Sequence, residues 1–341
     1  MKTMKFSEAV DDVLGKEMDR DPRIVLMGED IAAFRLPLYT RFGEERVRSA
    51  PISEAGFVGA AVAAAMAGLR PVVELWMVDF VTVAMDALVN HAAKTEVLSG
   101  GLWKVPLVIR ASCGGGYGDA GQHEQSLWGW LAHIPGLDVV VPSNPADAGG
   151  LMLSALRSDG PVVFCEHKLL SERHLEYLVT GGRKNLDLDI PEAGASGGVP
   201  LPWEPVPLGS ASVRREGRDL TMVSLGVSVF RCLEAAESLE KEGISSCVID
   251  LRSVSPLDAA TVLESISKTG RMLVVDEDYR ECGLSGELAA AVMEAGVRAS
   301  YARVCTEDTI PFARGLAEKT VPHTQRIVEA GRRLAGVPAQ A

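Results

Sequence analysis

Apolar residues in this chain arrive in short runs separated by stretches of helical period. Val72-Val73-Glu74-Leu75, Val105-Pro106-Leu107-Val108-Ile109, Asp138-Val139-Val140-Val141 and Val162-Val163-Phe164-Cys165 read as buried strands. Residues 85–98 and 146–157 read as the helices between them. Near-continuous apolar strands alternating with helices predict a parallel sheet covered on both faces, because a parallel crossover needs a long return segment. The rhythm fails from about residue 181 to 207, where Gly194-Ala195-Ser196-Gly197-Gly198 and Pro200, Pro202, Pro205 and Pro207 crowd together. This stretch reads as a linker, part of it on the surface or mobile. Strands then resume at 220–225, 247–251, 272–275 and 301–304, with helices at 229–242 and 284–295. The expected fold class is α/β: one parallel-sheet domain over 1–180, a linker over 181–208 and a second, smaller domain over 209–341.

Composition narrows the function. The chain's 341 residues suit two domains at roughly 150 residues each. A formal net charge of −12 argues against nucleic acid and suits docking onto a basic partner. No apolar run reaches the ~18–20 residues that span a bilayer. Met1-Lys2-Thr3-Met4-Lys5-Phe6 holds no apolar signal core, so a cytoplasmic location is expected. The six cysteines form no CxxC pair and the six histidines no HExxH spacing, so neither disulfides nor a metal site of this chain's side chains is expected.

Two segments carry candidate chemistry. Glu54 opens a helix of small residues, Glu54-Ala55-Gly56-Phe57-Val58-Gly59-Ala60-Ala61, where it reads either as a dipole or capping-box acid or as a functional carboxylate. Gly114-Gly115-Gly116-Tyr117-Gly118-Asp119-Ala120-Gly121-Gln122-His123-Glu124-Gln125 is a glycine-rich loop directly after a strand. It matches neither GxGxxG opening a helix nor GxxxxGK[ST]. Presentation of His123 at the carboxyl edge of a parallel sheet accounts for it better than a phosphate cradle.

These segments belong to a longer ordered set. Pro51-Ile52-Ser53-Glu54-Ala55-Gly56-Phe57, Val78-Asp79-Phe80, Asn90-His91-Ala92-Ala93-Lys94, Gly121-Gln122-His123, His133-Ile134-Pro135-Gly136-Leu137, Phe164-Cys165-Glu166-His167-Lys168 and Val248-Ile249-Asp250-Leu251-Arg252 follow in order. Together they resemble the beta subunit of the thiamine-diphosphate-dependent first component of 2-oxo acid dehydrogenase complexes, a family related to transketolase that includes pyruvate, branched-chain 2-oxo acid and acetoin dehydrogenases. The resemblance implies a pyrimidine-binding domain followed by a transketolase-type C-terminal domain. It implies that Glu54 hydrogen-bonds the aminopyrimidine of thiamine diphosphate and favours the imino tautomer that removes the thiazolium proton. It makes Phe80 the aromatic that packs on the pyrimidine, unless it is a core phenylalanine. It makes His123 the active-site histidine, an imidazole whose ordinary pKa near ~6.5 suits proton transfer.

The family's Gly-Asp-Gly…Asn-Asn motif, which holds the diphosphate through magnesium, is missing here. The resemblance therefore implies an alpha subunit that supplies that half, in an α2β2 heterotetramer with beta–beta contact. It further implies a lipoyl acyltransferase core as acceptor, and in some members potassium on backbone carbonyls around 155–160. Three departures concern substrate and acceptor. The segment 30–37 is shorter than the family's loop, Leu102-Trp103 and Trp128 replace polar residues near the substrate entrance, and the linker is long. Glu124 stands where a small polar residue is usual and would favour the imidazolium if it faced the His123 ring. His91 and His133 are expected as structural hydrogen-bonders, His167 at the domain border, and His174 and His323 on the surface. A split transketolase-like enzyme passing a two-carbon ketol unit and a non-catalytic assembly subunit remain open readings at this point.

Overall fold

Seven strands form the first sheet in the computed structural model, which describes residues 1–116, 118–180 and 188–336. Tyr117 of the glycine loop, 181–187 of the expected linker and 337–341 of the second domain lie outside the described residues. Across the sheet the strands are Ser253–Ser255, Asp138–Val140, Val162–His167, Val108–Cys113, Arg70–Leu75, Ile24–Glu29 and Val47–Ala50. All pairings are parallel except the first, where Ser253 and Ser255 run antiparallel to Val140 and Val139. Alternation along the strands sorts the core into two faces. Val72, Val108 and Val162 pack with the helices Phe6–Arg20 and Pro145–Arg157, while Val73, Ile109 and Val163 pack with Glu54–Met66.

The second sheet orders Ser300–Thr306, Arg271–Tyr279, Leu220–Ser224, Ser246–Asp250 and Ser212–Arg215, parallel except for the last strand. Both sheets are parallel-based and helix-covered, which is the α/β class that the periodicity implies. The strand Ser253–Ser255 crosses from the second unit to complete the first sheet, so the two share a continuous core. No helix among the described residues is long and apolar enough to cross a membrane.

One expectation needs correction. Residues 85–98 are not one helix. They divide into a widened π-type turn over Asp86–Ala92 and a single turn over Thr95–Leu98, preceded by a tight 3₁₀ segment over Val78–Ala84. The Ala93 N–H donates to the Leu88 carbonyl at 2.9 Å, and the wider turn brings Leu88 and Ala92 together against the helix Glu54–Met66. The described part of the linker runs along the surface and is anchored there. Ser196–Val199 pairs antiparallel with Lys2–Lys5. Trp203 lies against Gly149, where a Cβ would stand 2.3 Å from the indole, and its N–H donates to Asp12 at 2.6 Å. The glycines of Pro145–Arg157 thus make the bed on which the proline-rich stretch rests.

Candidate active site

Parallel strands direct their carboxyl ends to one edge, and the residues that follow them gather there. Glu29 ends Ile24–Glu29, Glu54 opens the helix after Val47–Ala50, and Phe80 lies in the 3₁₀ segment after Arg70–Leu75. The glycine loop with His123 follows Val108–Cys113, and Lys168 follows Val162–His167. The helix Glu54–Met66 packs directly on the segment that carries Phe80.

Phe80 and His123 meet. Their ring centroids are 5.7 Å apart at an interplanar angle of 82°, an edge-on contact. Phe80 keeps part of its ring open rather than joining the core. Nδ1 of His123 lies 3.3 Å from the Asp119 carbonyl oxygen and 4.0 Å from that residue's carboxylate. A carbonyl can only accept, so this contact places the proton on Nδ1 and leaves Nε2 as the free acceptor.

Glu54 is half-buried at the first helical position, two residues too early for a capping box, and Ser53 makes no side-chain cap. Among the described residues no group hydrogen-bonds its carboxylate. Its charge is felt by Glu29, whose carboxyl is raised by burial and then by Asp30 and Glu54.

Glu124 does not face the imidazole. It is turned into the loop, where Oε1 accepts the Gly118 N–H at 2.8 Å and Oε2 the Ala120 N–H at 3.0 Å. Lys168, wholly buried, donates to the carbonyls of His123 and Gly114. A polar chain crosses the domain border beside these groups. The Tyr279 hydroxyl donates to Gln125 Oε1 at 3.0 Å, Gln125 Nε2 donates to Asp79 Oδ1 at 2.7 Å, and Asp79 Oδ2 is buried without a partner among the described residues. Sequence reasoning places Asp79, Gln125 and Lys168 only inside motifs, and nothing local marks Tyr279.

The segment 30–37 forms two short helices pinned by Arg35. That guanidinium is fully buried, donating to Glu74 at 3.0 and 2.6 Å and to Asp11 at 3.1 Å. Asp11 also accepts from Arg110, which donates to Glu166 at 2.7 Å. Burial alone would raise the Glu166 carboxyl, but Arg110, His174 and Arg35 outweigh it and hold it far below the ordinary range. His174 belongs to this network rather than to the surface: it is 5% exposed, hydrogen-bonded to Ser171 at 2.8 Å, and burial takes it down to about 3. His91 and His133 are exposed, and His91 Nε2 lies 3.6 Å from Asp86 Oδ2. His323 is half-buried and lines a cavity of about 420 Å³ behind the loop, with Arg231 and Val321.

His167 sits at the domain border, where Nδ1 accepts the Leu169 N–H and Nε2–H donates to Glu277 at 2.6 Å. Burial would raise Glu277, yet His167 and Arg231 hold it at about 2. Its neighbours behave oppositely. Asp276 Oδ1 accepts the Trp128 indole N–H at 2.9 Å, and Asp278 Oδ2 accepts the Gly129 N–H at 2.8 Å. Burial raises Asp276 to about 6, and burial with the Asp276 charge raises Asp278 to about 8. Trp128, 1% exposed, is therefore an interdomain residue and not part of an entrance.

Comparison with known proteins gives consistent matches. The family "Transketolase, pyrimidine binding domain" matches residues 2–173, and "Transketolase, C-terminal domain" matches 209–327. The chain is 37% identical to acetoin:2,6-dichlorophenolindophenol oxidoreductase subunit beta of Cupriavidus necator, over 97% of each chain. It is 37% identical to pyruvate dehydrogenase E1 component subunit beta of Rickettsia felis, over 96% of this chain and 97% of that one. It is 39% identical to 2-oxoisovalerate dehydrogenase subunit beta of Bacillus subtilis, over 86% and 85%. A split gene transketolase, solved as an inactive beta4 tetramer, shares the fold at a TM-score of 0.78 and 22% identity, over 98% of this chain and 99% of that one.

Proposed function

This chain belongs to the beta subunits of the 2-oxo acid and acetoin dehydrogenases, and from that membership we propose that it supplies the pyrimidine half of a thiamine diphosphate site completed by an alpha subunit. The observation that carries the proposal is Glu54, a half-buried carboxylate with no hydrogen-bond partner among the described residues, on the same sheet edge as the Phe80–His123 ring pair. A half-buried carboxylate is costly without a partner, and a ring nitrogen sharing its proton would satisfy it. Phe80, partly open, offers a face for offset stacking on that ring. The diphosphate and its magnesium fall to the alpha subunit in this reading.

Bound there, the cofactor supplies a nucleophilic carbon and an electron sink for cleavage of a bond next to a 2-oxo or acetoin carbonyl. Glu54 holds the shared proton at the pyrimidine ring. Phe80 sets the plane of that ring. His123, its Nδ1 turned to the Asp119 carbonyl, presents Nε2 to the substrate oxygen or to an incoming lipoyl sulfur, where the neutral ring accepts a proton and, as the imidazolium, returns it. The exposed face of the helix Glu54–Met66 carries Gly56, Ala60 and Ala63, with Ile52 at its start 76% exposed. Val97, Leu98, Leu102 and Trp103 extend the exposed apolar surface nearby, and this surface is where we place the alpha subunit.

The test is reconstitution with an alpha chain carrying the Gly-Asp-Gly…Asn-Asn motif, assayed with pyruvate, branched-chain 2-oxo acids and acetoin. Turnover measured with an artificial electron acceptor is expected, and Glu54→Ala is expected to reduce it at least ~100-fold. Full activity of the variant would overturn the assignment.

A further inference from the structure

The loop that carries His123 is closed around two buried, oppositely charged side chains. Its neck is the Gly114 N–H donating to the Gln125 carbonyl at 2.9 Å. Within it, the Glu124 carboxylate, 1% exposed, takes one backbone N–H on each oxygen, from Gly118 and Ala120. From the sheet beneath, the Lys168 ammonium, 0% exposed, reaches the carbonyl of Gly114 at 3.3 Å and that of His123. One side chain therefore gathers the loop's donors and the other gathers acceptors at both of its ends. The second domain adds further ties, the Gly121 N–H to the Ile310 carbonyl at 2.8 Å and the Tyr279 hydroxyl to Gln125 Oε1 at 3.0 Å. Burial pulls the Lys168 ammonium below its ordinary range, and the neighbouring carboxylates of Asp79, Glu124 and Asp119 offset part of that.

A segment with five glycines between 114 and 121 has many conformations to lose, and glycine loses the most on being fixed. Nothing in its own composition would hold a histidine edge-on to a neighbouring ring. We propose that Glu124 and Lys168 are positioning residues for His123: together they fix the loop backbone at Gly114 and over 118–125 so that the imidazole stands against Phe80. Only the activity arm of the test rests on the function proposed above.

The variants are Glu124→Gln, which keeps one acceptor oxygen, and Lys168→Met, which keeps the chain's bulk without its charge. In the chain alone, labelled on histidine, the His123 ring resonance is identified by its loss in His123→Asn. Both variants are expected to move it toward the positions of the exposed His91 and His133 and to weaken its cross-peak to Phe80. His91, His133 and His323 are expected to keep their shifts. In the reconstituted complex, kcat is expected to fall ~10- to 100-fold with KM for the oxo substrate held within ~3-fold, the pattern of a displaced group rather than lost binding. An unmoved His123 resonance in either folded variant overturns the proposal. Should Lys168→Met fail to fold, Glu124→Gln decides. A complex that is inactive even with the unaltered chain refutes the function and leaves the resonance arm to judge the positioning.

Discussion

Gly114 has no space for a side chain. A Cβ there would stand 2.0 Å from Nε2 of His167, and its φ of +88° lies in the left-handed region. Gly114→Ala is therefore expected to displace His167 from Glu277 and to cost on the order of 2–3 kcal/mol, read from a urea midpoint. At this scale Glu54, Phe80 and His123 are legible because each sits in an ordered motif of fixed residue type. Glu124 was legible only as a departure from the family pattern. Its role depends on the loop curling back on itself, which no linear spacing states. His174 reads as polar and hence exposed, yet Arg35 and Arg110 from distant segments join Glu166 and Ser171 just before it in closing it off.

Among the elements, the strands richest in valine are the ones that periodicity finds. Val47–Ala50 escapes it because an edge strand carrying Arg48 and Ser49 lacks a buried alternation. Ser253–Ser255 escapes because three residues are too few to show a period. The single helix expected over 85–98 fails because the hydrogen bonding widens over Asp86–Ala92, where the Ala93 N–H reaches the Leu88 carbonyl five residues back, and the chain resumes only a single turn over Thr95–Leu98. Asp258 shows how a helix start is made: Oδ1 accepts the Thr261 N–H at 3.0 Å and Oδ2 the Ala211 N–H at 2.9 Å. Asp258→Ala is expected to cost about 1–2 kcal/mol in chemical unfolding, mostly the lost cap. On the helix Glu54–Met66, Ala60→Arg adds bulk and charge to an exposed position. The isolated chain should keep its thermal midpoint, while co-elution with the alpha subunit on size exclusion should be lost.

For the molecule as a whole, acids at the domain border set a pH dependence with a definite sign. Asp276 and Asp278 titrate in the folded state near about 6 and about 8, above the ~3.9 of an unfolded aspartate. Their contribution is greatest below about pH 4 and is lost as pH rises through 6 and then 8. Glu277, held at about 2, works the other way, stabilising above its unfolded value near ~4.3 and failing as pH drops toward 2. Asp278→Asn cannot ionise, so its thermal midpoint relative to the unaltered chain should climb by a few degrees between pH 5 and pH 9. A constant difference across that range would refute this account.

The antiparallel strand Ser253–Ser255 also imposes an order of events during synthesis. The first sheet's outer strand, Asp138–Val140, must wait with unpaired amides and carbonyls until much of the second domain has left the ribosome. That waiting edge is a template for the wrong neighbour, and it is the stretch a chaperone would need to shield. A chain stopped after residue 208 would keep it open permanently. Such a fragment holds every residue assigned to the pyrimidine site, and it should nonetheless be recovered as an aggregate.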